Sequence, residues 1–262
     1  MKYALIGEKL GHSMSKILHE KYFEIKGENS TYDLVEIKKD NFDLEFKKLI
    51  AKGYDGINVT IPYKKDVLPY LDSISPEAEK IGAVNTIKIK NGRLYGYNTD
   101  FFGIIRTFER YRIEIKNKDT VILGTGGASA AVKEACLNLG AKSVVFVSRK
   151  RKIHCGMLTK TYDEFISGDV LINATPVGMY PDIDACPIDK INFSAVFDLI
   201  YNPEKTLLLK RAASQGKKAV NGLYMLISQG IYAQSIWQNI PFEYEINEKV
   251  FDEVKKYENN GN

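Results

Sequence analysis

Val121-Ile122-Leu123-Gly124-Thr125-Gly126-Gly127-Ala128-Ser129 sets an apolar run against a glycine cluster that opens a helix-like stretch, Ala128–Leu139, stopped by Gly140. Strand, tight turn and helix in that order form the layout of a dinucleotide pyrophosphate site. Glycines let the backbone approach the phosphates, and the helix N-terminus offers N–H donors and a partial positive charge. Gly124, Gly126, Gly127 and Ala128 are the candidate contacts. A glycine cluster alone reads equally well as a turn; the strand before it, the helix after it and a further strand at Ser143–Val147 favour the nucleotide reading.

That further strand leads into Ser148-Arg149-Lys150-Arg151-Lys152, with no acid among them. An NAD site places Asp or Glu here to accept from the ribose 2′-hydroxyl, whereas a 2′-phosphate needs cations. At this distance from the glycine loop the run points to NADP(H), with Ser148, Arg149 and Lys150 as contacts and Arg149 able to stack on adenine. Elsewhere the same run would read as solvated charge.

Outward from this centre, strand-like and helix-like segments alternate, which predicts an α/β protein with mainly parallel sheets. Tyr3–Ile6, Tyr32–Val35 and Gly56–Ile61 read as strands, with helices at Lys16–Lys26 and Asn41–Lys52. Val84–Lys90 and Arg93–Tyr97 flank Asn91-Gly92, a dipeptide suited to a tight hairpin because both positions tolerate positive φ. A helix then runs to about Arg110. Beyond the glycine loop come strands Val170–Asn173 and Ala195–Leu199, helices around Lys205–Ser214 and Leu223–Trp237, and a last helix about Asn247–Tyr257 before a frayed tail, 259–262. The expected plan has two domains. An N-terminal α/β substrate domain spans residues 1–100, completed by a C-terminal helix in 238–262. A C-terminal Rossmann-type NADP-binding domain spans 101–237.

In the first half, Asn58-Val59-Thr60-Ile61-Pro62-Tyr63-Lys64 ends a strand. Strand alternation turns Ile57, Val59 and Ile61 one way and Asn58 and Thr60 the other. Lys64 then lies just past a strand's C-terminal end, where α/β sheets place ligands. Most lysines are merely solvated; as a protonated donor, a lysine serves at neutral pH in its ordinary charge state. Asp100 is the expected partner, although alone it reads as a helix N-cap. Ser13 and Ser15 carry the same ambiguity: they cap the helix that begins near Lys16, or they join its N-terminus in cradling a small carboxylate. His12 and His19 are expected to be structural. A nucleotide site in one half and small polar groups with Lys64 in the other point to a two-domain oxidoreductase.

Composition is compatible with this reading and narrows it. Hydrophobic residues make up 44% and charged residues 27%, which argues against disorder. A net charge of +4, from 37 basic and 33 acidic residues, gives no footprint for nucleic acid. Cys136, Cys155 and Cys186 are odd in number and have no metal-ligand spacing, which fits a reducing cytoplasm. The N-terminus turns polar too soon for a signal peptide, and no apolar run approaches the ~20 residues of a membrane span.

Seven stretches in order carry a resemblance: Gly11–Ser15, Asn58–Lys64, Gly82–Thr86, Asn98–Asp100, Gly124–Ser129, Asn173–Met179 and Gly222–Gln229. Together they resemble the shikimate dehydrogenase (shikimate/quinate dehydrogenase) family over nearly the whole chain. The resemblance implies reversible, NADPH-dependent reduction of 3-dehydroshikimate to shikimate, within chorismate and aromatic amino-acid biosynthesis. It implies that Ser13 and Ser15 hold the ring carboxylate with Tyr201, that Asn58, Thr60, Asn85, Asp100 and Gln229 hold ring hydroxyls, and that Lys64 and Asp100 form the acid–base pair. It adds Thr175, Gly222 and Met225 to the cofactor contacts. The implied partners are a small-molecule substrate and NADP(H), with no metal, nucleic acid or membrane, in a cytoplasmic monomer or homodimer. Two departures stand out. Lys16 replaces the family's proline after the second serine, and the segment between Ser148 and Val170 is short and has no clear helical face where the family has a fuller helix. The alternatives are an NAD-preferring quinate/shikimate dehydrogenase, a methylenetetrahydrofolate dehydrogenase-like enzyme and a non-catalytic metabolite sensor. The serine pair, Asn85 and Asp100 argue against the second, and Lys64 with Asp100 against the third.

Overall fold

Strands and helices alternate through the chain in this computed structural model, which describes residues 1–11, 13–164 and 166–260. There are two compact units: Met1–Asp100 with the chain from Leu226 on, and Phe101–Met225.

The first unit begins with β1 (Lys2–Gly7), α1 (Ser15–Lys26), β2 (Thr31–Glu36), α2 (Phe42–Ile50) and β3 (Gly56–Val59). β1 lies between β2 and β3 and runs parallel to both. Ala4, Ile6, Ile57 and Val59 from the sheet share a core with Phe42, Phe46 and Leu49, which recur at helical spacing along α2. Two short elements follow that periodicity does not reveal, β4 (Ser73–Ile74) and α3 (Pro76–Ile81). Ser75 caps α3 by accepting from the Ala78 N–H, and Gly82 closes it at φ 68°. β5 (Thr86–Lys90) and β6 (Arg93–Tyr97) form the expected hairpin, with Lys90 opposite Arg93. Asn91 and Gly92 turn it at φ 53° and 74°. β5 is antiparallel to β3 and β6, so the sheet, in order β2-β1-β3-β5-β6-β4, is mixed. α4 (Thr99–Arg110) leads onward from this sheet.

One strand ends earlier than alternation predicts. Thr60 N–H still bonds to Ile6 O at 2.9 Å, but Tyr63 N–H bonds back to Thr60 O and starts a turn. Ile61 is therefore 70% exposed and does not share the buried face of Ile57 and Val59.

The second unit holds β7 (Asp119–Leu123), α5 (Ser129–Asn138), β8 (Ser143–Ser148), β9 (Ile153–His154), β10 (Met157–Leu158), β11 (Lys160–Thr161), β12 (Val170–Asn173), β13 (Ala195–Asp198), α6 (Leu207–Ser214) and β14 (Lys218–Val220). Its six-stranded sheet is parallel throughout, in the order β11-β8-β7-β12-β13-β14. The chain moves outward one way from β7 to β8 and the other way through β12, so the switch point lies at the C-terminal ends of β7 and β12, where such sheets take ligands. Between β8 and β12, where the resemblance leads one to expect a fuller helix, stand a β9–β10 hairpin and the edge strand β11.

α7 (Leu223–Gln238) carries the chain back to the first unit, and α8 (Tyr244–Asn260) packs along α1. Trp237 near the end of α7 stacks on Tyr3 with ring centroids 4.5 Å apart and donates from Nε1 to Ile87 O at 2.9 Å. Asn259 and Asn260, expected in a frayed tail, lie in α8; Gly261 and Asn262 lie outside the described residues, as does His12. Among the described residues no helix is long and apolar enough to cross a membrane.

Candidate active site

In the first unit, the turn after β3 brings Lys64 back beside the sheet, where its carbonyl accepts from the Val84 N–H at 2.8 Å. Its Nζ lies 2.5 Å from Asp100 Oδ2, and both side chains are largely shielded, at 16% and 11% exposure. The other carboxylate oxygen, Oδ1, accepts from Asn85 Nδ2 at 2.8 Å. Asn85 Oδ1 in turn accepts from the Thr99 N–H at 2.7 Å at the start of α4. Asn85, rather than Asp100, therefore satisfies a donor at the helix end, and the Asp100 carboxylate is committed to Lys64 and Asn85.

Asn58 extends the network. It accepts from the Tyr32 hydroxyl at 2.7 Å and donates to Asn85 O at 3.2 Å and Thr86 Oγ1 at 3.0 Å. Gln229 on α7 accepts from Thr99 Oγ1 at 3.2 Å and donates to Leu226 O at 2.8 Å. Lys64, Asp100, Asn85, Asn58 and Gln229 are thus tied together within one unit. Tyr32, Thr86 and Thr99 complete the network but had no assigned role from sequence. Thr86 and Thr99 lie inside motifs already singled out, and their fully buried hydroxyls are what link neighbouring site residues.

Thr60 follows β3 against Gly7, where an added Cβ would meet the threonine methyl at 2.8 Å. Ser13 and Ser15 flank the start of α1, both half-buried. The Ser13 hydroxyl accepts from the Ser15 N–H at 3.3 Å, and Met14 holds the N-cap position without a side-chain bond. Lys16 is exposed and faces Glu20 at 3.7 Å along its own helix. His19 is fully buried, stacks on Tyr32 at 4.1 Å and accepts from Gln234 Nε2 at its Nδ1. Burial lowers its pKa from 6.5 to about 3.

In the second unit, Gly124 leaves β7 at φ 96°, and a Cβ there would stand 2.8 Å from Thr175 Cγ2 and 3.0 Å from Ala174 O. A Cβ on Gly127 would meet nothing within 4 Å, so the loop's outer side is open. α5 starts at Ser129 with Ala128 at the N-cap; the Ser129 N–H bonds back to Gly126 O at 3.2 Å, and no side chain caps the N–H groups that follow, which suits an anion. Ser129 Oγ donates to Gly126 O at 2.7 Å and lies 2.9 Å from His154 Nε2.

Beyond β12, Thr175 donates to Asn173 Oδ1 at 2.7 Å, and Asn173 Nδ2 donates to Asp198 Oδ1 at 2.9 Å. Asp198 also accepts from Thr206 Oγ1 at 2.7 Å and from the Ile200 N–H at 3.1 Å. Burial nevertheless pushes its carboxyl from 3.8 up to about 6. This web holds the strand-end loops that carry Thr175 and the half-buried Tyr201. Gly222 lies so close to Leu199 O that no side chain fits, and Met225 is buried two residues into α7. Arg149 and Lys150 are exposed, Arg151 pairs with Glu164 at 2.7 Å, and the Ser148 hydroxyl turns inward to Lys150 O.

With this geometry in place, the likeness to known proteins is specific. The sequence profile described as the shikimate dehydrogenase substrate binding domain matches residues 5–87. Shikimate dehydrogenase (NADP(+)) from Clostridium beijerinckii is 41% identical, over 95% of this chain and 96% of that protein. The crystal structure of a chorismate mutase/shikimate 5-dehydrogenase fusion protein from Clostridium acetobutylicum is 42% identical, with a TM-score of 0.94 over 98% of this chain and 97% of that one. Shikimate 5-dehydrogenase from Thermus thermophilus, solved with NADP(H) and shikimate, is 30% identical, with a TM-score of 0.86 over 97% and 99%.

Proposed function

The chain belongs to the shikimate dehydrogenase family, and from that premise we propose that it reduces 3-dehydroshikimate to shikimate, reversibly, with NADPH. It is an oxidoreductase of the shikimate pathway, which leads to chorismate and the aromatic amino acids. The observation that carries the assignment of residues is the 2.5 Å contact between Lys64 Nζ and Asp100 Oδ2, backed by Asn85.

NADPH, when bound, supplies the hydride. As the ketone carbon accepts it, charge develops on oxygen. The Lys64 ammonium donates a hydrogen bond to that oxygen and then its proton, leaving the alcohol. In the reverse direction the Lys64 amine takes the hydroxyl proton. Asp100, fixed by Asn85, holds the Lys64 nitrogen in position and offers an acceptor to a ring hydroxyl. Asn58, Thr60, Asn85 and Gln229 supply the remaining polar contacts to the ring. Ser13 and Ser15 receive the carboxylate at the start of α1.

The residues of the second unit suit NADP(H). Only a glycine fits at Gly124 against Ala174 and Thr175, the outer side at Gly127 is open, and the N-terminus of α5 has no side-chain cap. Gly124, Gly126, Gly127 and Ala128 would hold the pyrophosphate. Arg149 and Lys150, exposed and without an acid beside them in sequence, would hold the 2′-phosphate on a loop shaped by Ser148. Thr175, Gly222 and Met225 would line the nicotinamide end. The reading extends to a cytoplasmic monomer or homodimer whose partners are its substrate and cofactor.

The test is NADPH absorbance with 3-dehydroshikimate, run beside NAD⁺ reduction with quinate and with shikimate. Rapid NADPH oxidation with little quinate activity is expected. Preference for NAD⁺ and quinate would overturn the cofactor and substrate assignment, and silence in all three assays would overturn the catalytic one.

A further inference from the structure

The β9–β10 hairpin and the short link after it bring one buried hydroxyl against the cation run. Thr159, 1% exposed, lies between β10 and β11 just before the chain joins β8 as an edge strand. Its Oγ1 accepts from the Lys152 N–H at 3.0 Å and lies 3.0 Å from Ser148 Oγ. Ser148 Oγ donates its own proton to Lys150 O, so the Thr159 proton is directed at Ser148 Oγ, with Lys150 O a second acceptor at 3.4 Å. The hydrogen bonds then lead from the Lys152 N–H to Thr159, and from Thr159 to the Lys150 carbonyl both through Ser148 and directly. The Thr159 N–H closes the ring onto Lys152 O at 2.8 Å.

We infer that Thr159 is the positioning residue for cofactor choice: its hydroxyl holds the 148–152 turn closed, so that Arg149 and Lys150 face a 2′-phosphate already arranged. The inference rests on the NADPH reading above and adds to it the group that sets the cations' geometry. Four adjacent cations repel one another, and an untied turn would spread them. Among the described residues only Arg151 of the four has an acid drawn close, Glu164 from beyond β11. A turn fixed from inside spares the ligand the cost of ordering it. The benefit falls on the ligand that uses the cations, which is NADPH and not NADH. Thr159 touches no cofactor atom in this argument; it acts through Ser148, Lys150 and Lys152.

The experiment titrates the full-length protein with NADPH and with NADH, followed by nicotinamide fluorescence, for wild type, Thr159→Val and Thr159→Ser. Thr159→Val keeps the shape and removes the hydroxyl. It is expected to weaken NADPH about tenfold, the scale of one or two lost hydrogen bonds, and to leave NADH within about twofold. Thr159→Ser, which keeps the hydroxyl, is expected to restore NADPH binding, and it also serves as the comparison if the valine variant folds poorly. Equal losses for both cofactors, unchanged NADPH binding in Thr159→Val, or failure of Thr159→Ser to bind NADPH as wild type does would each overturn the inference. No substrate is present, so the result does not depend on turnover. A wild-type protein that binds NADH as tightly as NADPH would overturn the phosphate-clamp reading itself, and this inference with it.

Discussion

Lys64 is the residue on which the proposed chemistry depends, and its surroundings explain how a flexible side chain could serve as a precise donor. A free lysine samples many rotamers; here the Asp100 carboxylate at 2.5 Å and its Asn85 anchor restrict the ammonium to one place. Lys64→Ala removes the proposed proton donor while leaving the glycine loop and the cation run intact. Its kcat should fall about 10²–10⁴-fold, the usual contribution of a positioned acid, with NADPH affinity within about twofold of wild type. Steady-state kinetics beside a fluorescence titration check both; a kcat within about tenfold of wild type would remove Lys64 from the acid role. At this scale the sequence was informative where a motif and a strand end coincide, as at Asn58–Lys64 and Asn98–Asp100. Thr159 and Asp198 were not legible, because their hydrogen-bonding partners meet only after the sheet forms. Thr159 reaches back to Ser148 and Asp198 to Asn173, and nothing in either local stretch marks the contact. Asp100 shows the converse: its local signal suggested a cap, and Asn85 took part of that task instead.

Among the elements, α7 does most to position the first unit's polar network, because it carries Gln229 and is packed by close backbone approach. A Cβ on Gly230 would stand 2.7 Å from Leu18 of α1, and one on Gly56 of β3 would enter the Trp237 ring. Trp237 is itself pinned by stacking on Tyr3 and by its bond to Ile87 O, so it has little freedom to yield. Gly56→Ala should therefore push α7 from the sheet, destabilise the protein by about 1–3 kcal/mol as overpacked cores do, and raise KM for 3-dehydroshikimate through displaced Gln229. Urea melts and substrate kinetics test this; an unchanged midpoint would mean that the ring can move aside. Elements with a strong local code were read correctly from sequence: Asn91-Gly92 at its hairpin, and α5 between Gly124 and Gly140. β4 and β9–β11 have two residues each, too few for any period, and their existence depends on the strands they join. The end of β3 was misplaced for a related reason: Ile61 continues an apolar alternation that the turn at Tyr63 interrupts.

Across the whole molecule, each unit buries one group that titrates the opposite way from the other's, and this gives the two units different acid responses. His19 in the first unit has its pKa lowered by burial from 6.5 to about 3, so the folded unit binds fewer protons than the unfolded chain between those values. Its contribution to stability is present above 6.5 and is lost as pH falls toward about 3. Asp198 in the second unit has its pKa raised by burial from 3.8 to about 6, so its contribution is present below 3.8 and is lost as pH rises through about 6. Acidification from pH 6 to 4 should therefore weaken the first unit and strengthen the second, each group contributing a slope of at most about 1.4 kcal/mol per pH unit. The single tryptophan, Trp237, packs with Tyr3 and His19 and so reports the first unit by its fluorescence. Hydrogen exchange at β7, β12 and β13 reports the second. His19→Asn keeps an acceptor for Gln234 without an imidazole, and should flatten the pH dependence of the fluorescence transition while leaving exchange in the second unit as in wild type. Asp198→Asn should do the reverse. If either variant shifted both probes together, the two units would be unfolding as one, and the separate acid responses argued here from His19 and Asp198 would be wrong.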